Sequence, residues 1–425
     1  MKSVSCKLLL VTLSVGLLTG CEVTAEKIKT WKGTQKGPAK LRAAVLDDKV
    51  KTDLRVMAAE ALAEINLVDY LAKDLKTLAA GARDKVTGAL SARLIKRMEG
   101  TSPQATTKVQ IQAKDALFSL RGAFSDATRR KADEALVKWV AGDWIARSGG
   151  EHSAEKVVTT IGASAAPMLA ESIGADPKVV LTIAKLLKKI GKEADRLVAA
   201  KKLVAHVMDY NPPQKASFEA LGRMQAPASR AYLQKVAKVG KGEYRGWALR
   251  ALKYDPDPST IPVAGAIAGS AKEPDPLRGA AFEALETIKG AKTAEVLSKI
   301  IATDPKDLVR YRAIEAITAC CGGEGVGKLL EALPSKENYK KRDVKDFIEK
   351  DIKRVGKAAV PALRKALESK SWIARVIAVR LLGQLGSKQD ADALSKMTAD
   401  RAKLKGWGSP ATVGSEAKAA LASLK

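Results

Sequence analysis

Chemistry needs side chains that can titrate, ligate or attack, and this sequence is sparing with them. Its 425 residues include two histidines, His152 and His206, and four cysteines. His152 sits in the loop-like stretch Gly149-Gly-Glu-His-Ser and His206 within a helical run, and each reads as an ordinary surface or core histidine. Without a paired-cysteine motif, two histidines do not make a zinc site of standard ligand type. The chain has no Gly-rich phosphate cradle, no dinucleotide fingerprint opening a helix after a strand, and no Gly-x-Ser-x-Gly elbow. Acidic residues are plentiful, but nothing separates a catalytic pair from solvated helix faces. The expectation is therefore a non-enzyme, with no catalytic residue, metal, cofactor or small-molecule substrate.

The residues that recur are arginines. Arg245, Arg278, Arg310, Arg342 and Arg375 follow one another every 32 or 33 residues. The text around them repeats as Arg245-Gly-Trp-Ala-Leu-Arg-Ala-Leu, Arg278-Gly-Ala-Ala-Phe-Glu-Ala-Leu, Arg310-Tyr-Arg-Ala-Ile-Glu-Ala-Ile and Arg375-Val-Ile-Ala-Val-Arg-Leu-Leu. Each is an amphipathic helix by its apolar spacing of three and four. The Arg342 unit fits less well, because Asp343-Val-Lys-Asp-Phe-Ile-Glu-Lys-Asp is far more charged. A second helical segment precedes each arginine: 229–239, 261–267, 294–301, 326–333 and 360–367. Asp275-Pro276, Asp304-Pro305 and Ser369-Lys-Ser371 lie between the two as turn signals that end one helix and cap the next. The unit is helix, short turn, helix. Asp53-Leu-Arg-Val-Met-Ala-Ala-Glu-Ala-Leu is a good copy near the N-terminus, and Ala216-Ser-Phe-Glu-Ala-Leu-Gly another. Interruptions are expected at 100–107, 142–153 and 403–415.

This pattern resembles the HEAT repeat family, in which a Pro stands in the first helix, an Asp in the turn and Val-Arg at the start of the second. Here Pro361 with Arg375, Pro262 with Asp275 and Arg278, and Asp304 with Val309 and Arg310 carry it. The spacing is close to that of the compact, phycobilisome-lyase-like type. The resemblance implies an all-α fold, a right-handed α-solenoid of HEAT-like helical hairpins over residues 38–425, irregular at 84–150 and most regular at 215–390. Stacked repeats share one core that none could bury alone, and roughly nine to eleven are expected. The resemblance also implies that Asp275, Arg278, Asp304, Arg310 and Arg375 form a structural ladder between repeats. The second helices of such arrays line the concave surface, which makes Arg250, Arg312 and Arg380 candidates for binding a partner or an anion. Lys340, Lys341, Lys353 and Arg354, in the basic stretch 336–370, are further candidates, beside the plainer reading of a solvated face.

The first residues look like an address. A start carrying Lys2 and Lys7 leads into the apolar run Leu8 to Leu18, too short to cross a bilayer as a stable helix. Leu18-Thr19-Gly20-Cys21 resembles the lipobox of bacterial lipoproteins. That resemblance implies cleavage between Gly20 and Cys21, lipidation of the Cys21 thiol, a tether over 21–37, and a lipid-anchored protein of the cell envelope. Glu22, rather than Asp, favours the outer membrane facing the periplasm. Cys320 and Cys321 are then the remaining thiols. They read first as small buried apolar side chains, with a vicinal disulfide as the alternative.

The formal net charge is +27, which attracts polyanions without identifying one. The leading function is a membrane-anchored envelope scaffold binding a protein partner. An electrostatic binder of lipopolysaccharide phosphates or nucleic acid is the alternative. A HEAT-like lyase or glycosylase comes third, since fold alone does not confer an activity and an export signal removes the chain from genomic DNA.

Overall fold

The structure is a computed structural model that describes residues 22–100, 107–174, 177–210, 213–334, 339–408 and 410–424. The leader, Gly20 and Cys21 lie outside the described residues. Those described form helices joined by short turns and single 3-10 turns, and the sole strand-like feature among them is an isolated bridge between Lys403 and Thr412. No described helix is long and apolar enough to cross a membrane.

The chain divides into two compact units, residues up to 140 with 145–157, and residues 141–144 with 158 onward. The sequence suggested one array. The chain passes between the units over residues 141–157, a span that contains the 142–153 interruption. The first unit contains α1 (Ala25–Trp31), α2 (Gly37–Leu46), α3 (Thr52–Glu64), α4 (Val68–Thr77), α5 (Ala80–Met98), α6 (Thr107–Leu120) and most of α7 (Asp126–Gly142). The region 21–37, expected as a tether, includes α1. Thr24 caps that helix by accepting the Lys27 N–H, and its Ile28 is buried where α1 packs on α2 and α3.

After α8 (Ala154–Ile161) the second unit runs as successive hairpins. They are α9 (Ala166–Ser172) with α10 (Val180–Ile190), α11 (Glu193–His206) with α12 (Lys215–Met224), α13 (Pro227–Val239) with α14 (Tyr244–Leu252), α15 (Ile261–Ala268) with α16 (Asp275–Leu285), and α17 (Ala291–Thr303) with the first part of α18 (Asp307–Ala332). Then come α19 (Lys341–Asp343), a π-helical turn at Val344–Glu349 and α20 (Lys350–Val355). The chain closes with α21 (Val360–Ala366) and α22 (Trp372–Leu385), then α23 (Ala391–Met397) and α24 (Val413–Ser423). Pro227, Pro262 and Pro361 stand in the first turns of their helices, where a missing N–H costs nothing.

Within the second unit, first helices pack on first helices (α9, α11, α13, α15, α17) and second on second (α10, α12, α14, α16, α18). That is the α-solenoid arrangement of HEAT-type hairpins. Close approach depends on small residues. A Cβ on Gly222 of α12 would stand 2.0 Å from the Ala251 carbonyl oxygen of α14. Phe218, Leu249, Phe282, Ile314 and Ile377 are fully or nearly fully buried, and each such side chain contributes roughly 1.5–3 kcal/mol of apolar transfer.

Candidate protein-binding face

Apart from Arg342, the recurring arginines are spent inside the structure. The guanidinium reaches back to a carbonyl at or just after the end of the preceding helix, and in Arg245, Arg278 and Arg375 also forward to an acid of the next turn. Arg55 donates from Nε to the Val45 carbonyl at 2.9 Å, Arg245 to Ala237 at 2.9 Å, and Arg278 to Ala268 at 2.8 Å. Arg310 donates to the Asp304 carbonyl and Arg375 to that of Ser369, both at 2.8 Å. Forward, Arg245 pairs with both oxygens of Glu273 at 2.9 and 2.6 Å, Arg278 with Asp304, and Arg375 with Asp400 at 2.7 Å. Arg310 pairs instead with Asp307 of its own helix, and Asp275 with Lys306 at 2.9 Å. Orphan carbonyls at helix ends are thereby satisfied by a charged donor that also bridges repeats.

A second ladder escaped the sequence reading. Arg42 grips Asp74, Arg230 grips Asp255, and Arg364 grips Asp390, each with two nitrogens on two oxygens at 2.5–3.2 Å. The constant offset of 25 or 26 residues in the last two pairs was available as a signal. It was masked by the abundance of charge in this chain.

The candidate binding arginines do not share one role. Arg250 and Arg380 stand five residues after their ladder arginines, whereas Arg312 stands two after Arg310. Arg250 reaches Glu283 of the next repeat at 3.4 Å and is about a third exposed. Arg312, 61% exposed, pairs with Glu315 at 3.0 Å. Arg380 corrects the sequence expectation. Glu349, itself fully buried, accepts from it at 2.5 and 3.3 Å, and Glu416 at 2.7 Å, so all three guanidinium nitrogens are engaged. Of the lysine candidates, Lys340 is exposed, Lys341 contacts Glu416 at 3.4 Å and lies 5.5 Å from the Trp407 ring, and Lys353 is partly exposed. Arg354 is tied to Asp351 one turn earlier.

Carboxylates interleave with these cations. Burial, reinforced by Glu315 and Glu283, raises the Glu286 carboxyl above the usual glutamate range, against the opposing pull of Lys253 and Arg312. Burial likewise raises Asp351, with Arg354 opposing and Glu315 adding to the rise. The face of α16, α18 and α20 is thus of mixed sign, not the cationic rail that the arginines suggested.

Cys320 and Cys321 form a vicinal disulfide, a correction to their reading as free buried thiols. They precede Gly322, where α18 breaks at φ 53° and ψ −134° and turns directly from the second helix of one hairpin into the first helix of the next. Glycine adopts that conformation readily, which lets the helix change direction beside the bridged pair. Among the described residues no cluster of His, Cys, Asp and Glu is arranged to hold a metal.

The first unit holds a buried polar site that sequence reading missed. Lys114, wholly buried, donates to the carbonyls of Gly149 at 2.7 Å and of His152, and contacts Asp115 at 3.1 Å. Asp115 accepts the N–H groups of Glu151 and His152 at 3.0 and 3.1 Å, and Ser119 Oγ lies 2.9 Å from His152 Nε2. His152 rests against Phe118, and its Nδ1 has no partner. The cluster pins the 149–152 loop to α6.

Residues 240–318 match the family described as HEAT repeats. No curated protein matches the chain. Among solved structures, the karyopherin Kap121p bound to the SUMO protease Ulp1p is similar at 10% identity and a TM-score of 0.29, over 93% of this chain and 49% of that one. A Kap121p mutant is similar at 12% identity and 0.28, over 87% and 44%. The Puf3 RNA binding domain bound to Cox17 RNA is similar at 11% and 0.20, over 93% and 94%. The chain spans about half the length of the karyopherin chains.

Proposed function

We propose that this chain is a lipid-anchored cell-envelope scaffold that binds a protein partner through its HEAT-repeat surface and catalyses nothing. One observation carries the scaffold reading. Ladder arginines such as Arg278 are consumed in joining repeats, while Arg312, inside the HEAT-matching region, and Phe347, in the hairpin that follows it, keep exposed charged and aromatic side chains on the surface. Repeat arrays of this type offer extended binding surfaces because each hairpin contributes one outward stripe. The anchor rests on the sequence Leu18-Thr19-Gly20-Cys21, and the outer-membrane, periplasm-facing address on Glu22. Multiple acyl chains hold far more firmly than one.

Two experiments test this. Full-length protein expressed in a bacterium with labelled fatty acid should carry the label and fractionate with outer membranes, and Cys21→Ala should abolish both. Residues 22–425, used as bait in envelope extract at low and high salt, should retain a defined protein at high salt. Retention of polyanions alone, lost as salt rises, favours the second reading of an electrostatic binder. The exposed Lys340 and Arg342 beside Lys341 and Trp407 speak for that second reading.

A further inference from the structure

The ladder breaks in one hairpin, and the break exposes an aromatic pair. Arg342 occupies the sequence position of a ladder arginine, yet it is 79% exposed and contacts its neighbour Asp343 at 3.3 Å. The following helix is wound as a π-turn over Val344–Glu349. Such turns are rare and gather at functional sites, because the extra residue re-aims the side chains around it. Five residues after the ladder position, the regular repeats carry charge: Arg250, Glu283, Glu315 and Arg380. The broken repeat carries Phe347 there. Phe347 remains 42% exposed while stacking on Tyr311 of α18, with ring centroids 4.4 Å apart and planes 13° from parallel. Leu308, one turn before Tyr311, is 65% exposed, and Glu315 lies one turn after it. Glu286, the residue that caps the end of α16, makes no ion pair within 4.0 Å among the described residues, although Lys253 and Arg312 act on its charge.

We propose that the Tyr311–Phe347 stack is the docking centre for the protein partner, and that the partner lays a lysine or arginine across it, with its charge towards Glu315 and Glu286. This rests on the scaffold reading above. The aromatic shelf suits the apolar stem of such a side chain and attracts its cationic head, while the carboxylates supply charge-assisted acceptors. Exposed aromatics at a packed repeat junction are the residue type that dominates interface energetics. Glu315, one turn after Tyr311, contributes to the raised affinity of Glu286 for protons, so a cation arriving beside Glu315 relieves like-charge repulsion between the two carboxylates.

The test uses residues 22–425 and a phage-displayed random peptide library, counter-selected on Phe347→Ala. Selected peptides should carry Lys or Arg beside an aliphatic or aromatic residue. Synthetic copies should bind about tenfold more weakly to Phe347→Ala and to the Glu286→Gln, Glu315→Gln pair, with Phe347→Tyr restoring affinity. Unchanged circular dichroism melting keeps the variants comparable. Acidic consensus peptides, equal binding to Phe347→Ala, or no enrichment overturn the proposal. If Phe347→Ala still retains a salt-resistant envelope partner, the scaffold reading survives without this site. If the wild type retains none, the scaffold reading itself fails.

Discussion

Arg278 shows what a single residue does in this fold. It is 1% exposed, donates to a helix-end carbonyl and pairs with Asp304, and those contacts compensate its buried charge. Arg278→Ala should leave Asp304 buried and unpaired and lower unfolding free energy by about 3–5 kcal/mol in urea titration. Arg312→Ala, at an exposed pair, should change it by less than about 1 kcal/mol. Similar losses at both positions would sink the ladder as a source of stability. His152 sets a pH dependence. Burial lowers its imidazole below the usual histidine range, against the pull of Asp115 and Glu151 and with Lys156 and Lys114 adding to the fall. The unfolded chain then binds more protons, so the contribution is present above the ordinary histidine value near 6.5 and fades as pH falls through it. Hydrogen-exchange protection factors of the 149–153 loop, corrected for the intrinsic pH dependence of exchange, should fall on acidification in the wild type and lose that dependence in His152→Gln. The carboxyl of Glu286 runs the other way, since a raised carboxyl stabilises the fold as pH falls toward its value.

At the scale of elements, two glycines govern how helices meet. Gly322 turns α18 through a conformation reserved for glycine, and a Cβ there would touch nothing. Gly322→Ala therefore isolates backbone strain and should cost roughly 1–3 kcal/mol by denaturant titration. Gly222→Ala differs in kind, because its Cβ meets the α14 backbone and must push α12 and α14 apart. Beside Gly322, the Cys320–Cys321 bridge should leave residues 22–425 unreactive to maleimide until a reductant is added, after which two labels appear on intact mass. Immediate labelling would return the pair to its reading as free thiols.

For the whole molecule, each compact unit has its own buried core, with Leu62, Leu90 and Leu117 in one and Leu221, Leu285 and Leu382 in the other. The net charge of +27 makes weak, salt-sensitive binding to heparin an expected property of residues 22–425. That binding should persist in Phe347→Ala, which separates bulk electrostatics from a specific surface. Much of the architecture was legible in sequence, because apolar spacing, proline at helix starts and a 32- or 33-residue arginine period are local properties of the chain. Turn and helix positions in α13 to α17 followed from them. The sequence by itself also determined the arginine period, since ladder residues reach carbonyls only six to ten positions back. Tertiary structure alone decided which charges remain available. Arg380 looked open until helix stacking brought up Glu349 and Glu416, 31 and 36 residues away. Phe347 looked like one apolar residue in a charged run until the π-turn set it on Tyr311. Partners of that kind depend on how repeats stack, and the spacing within one repeat does not encode that geometry.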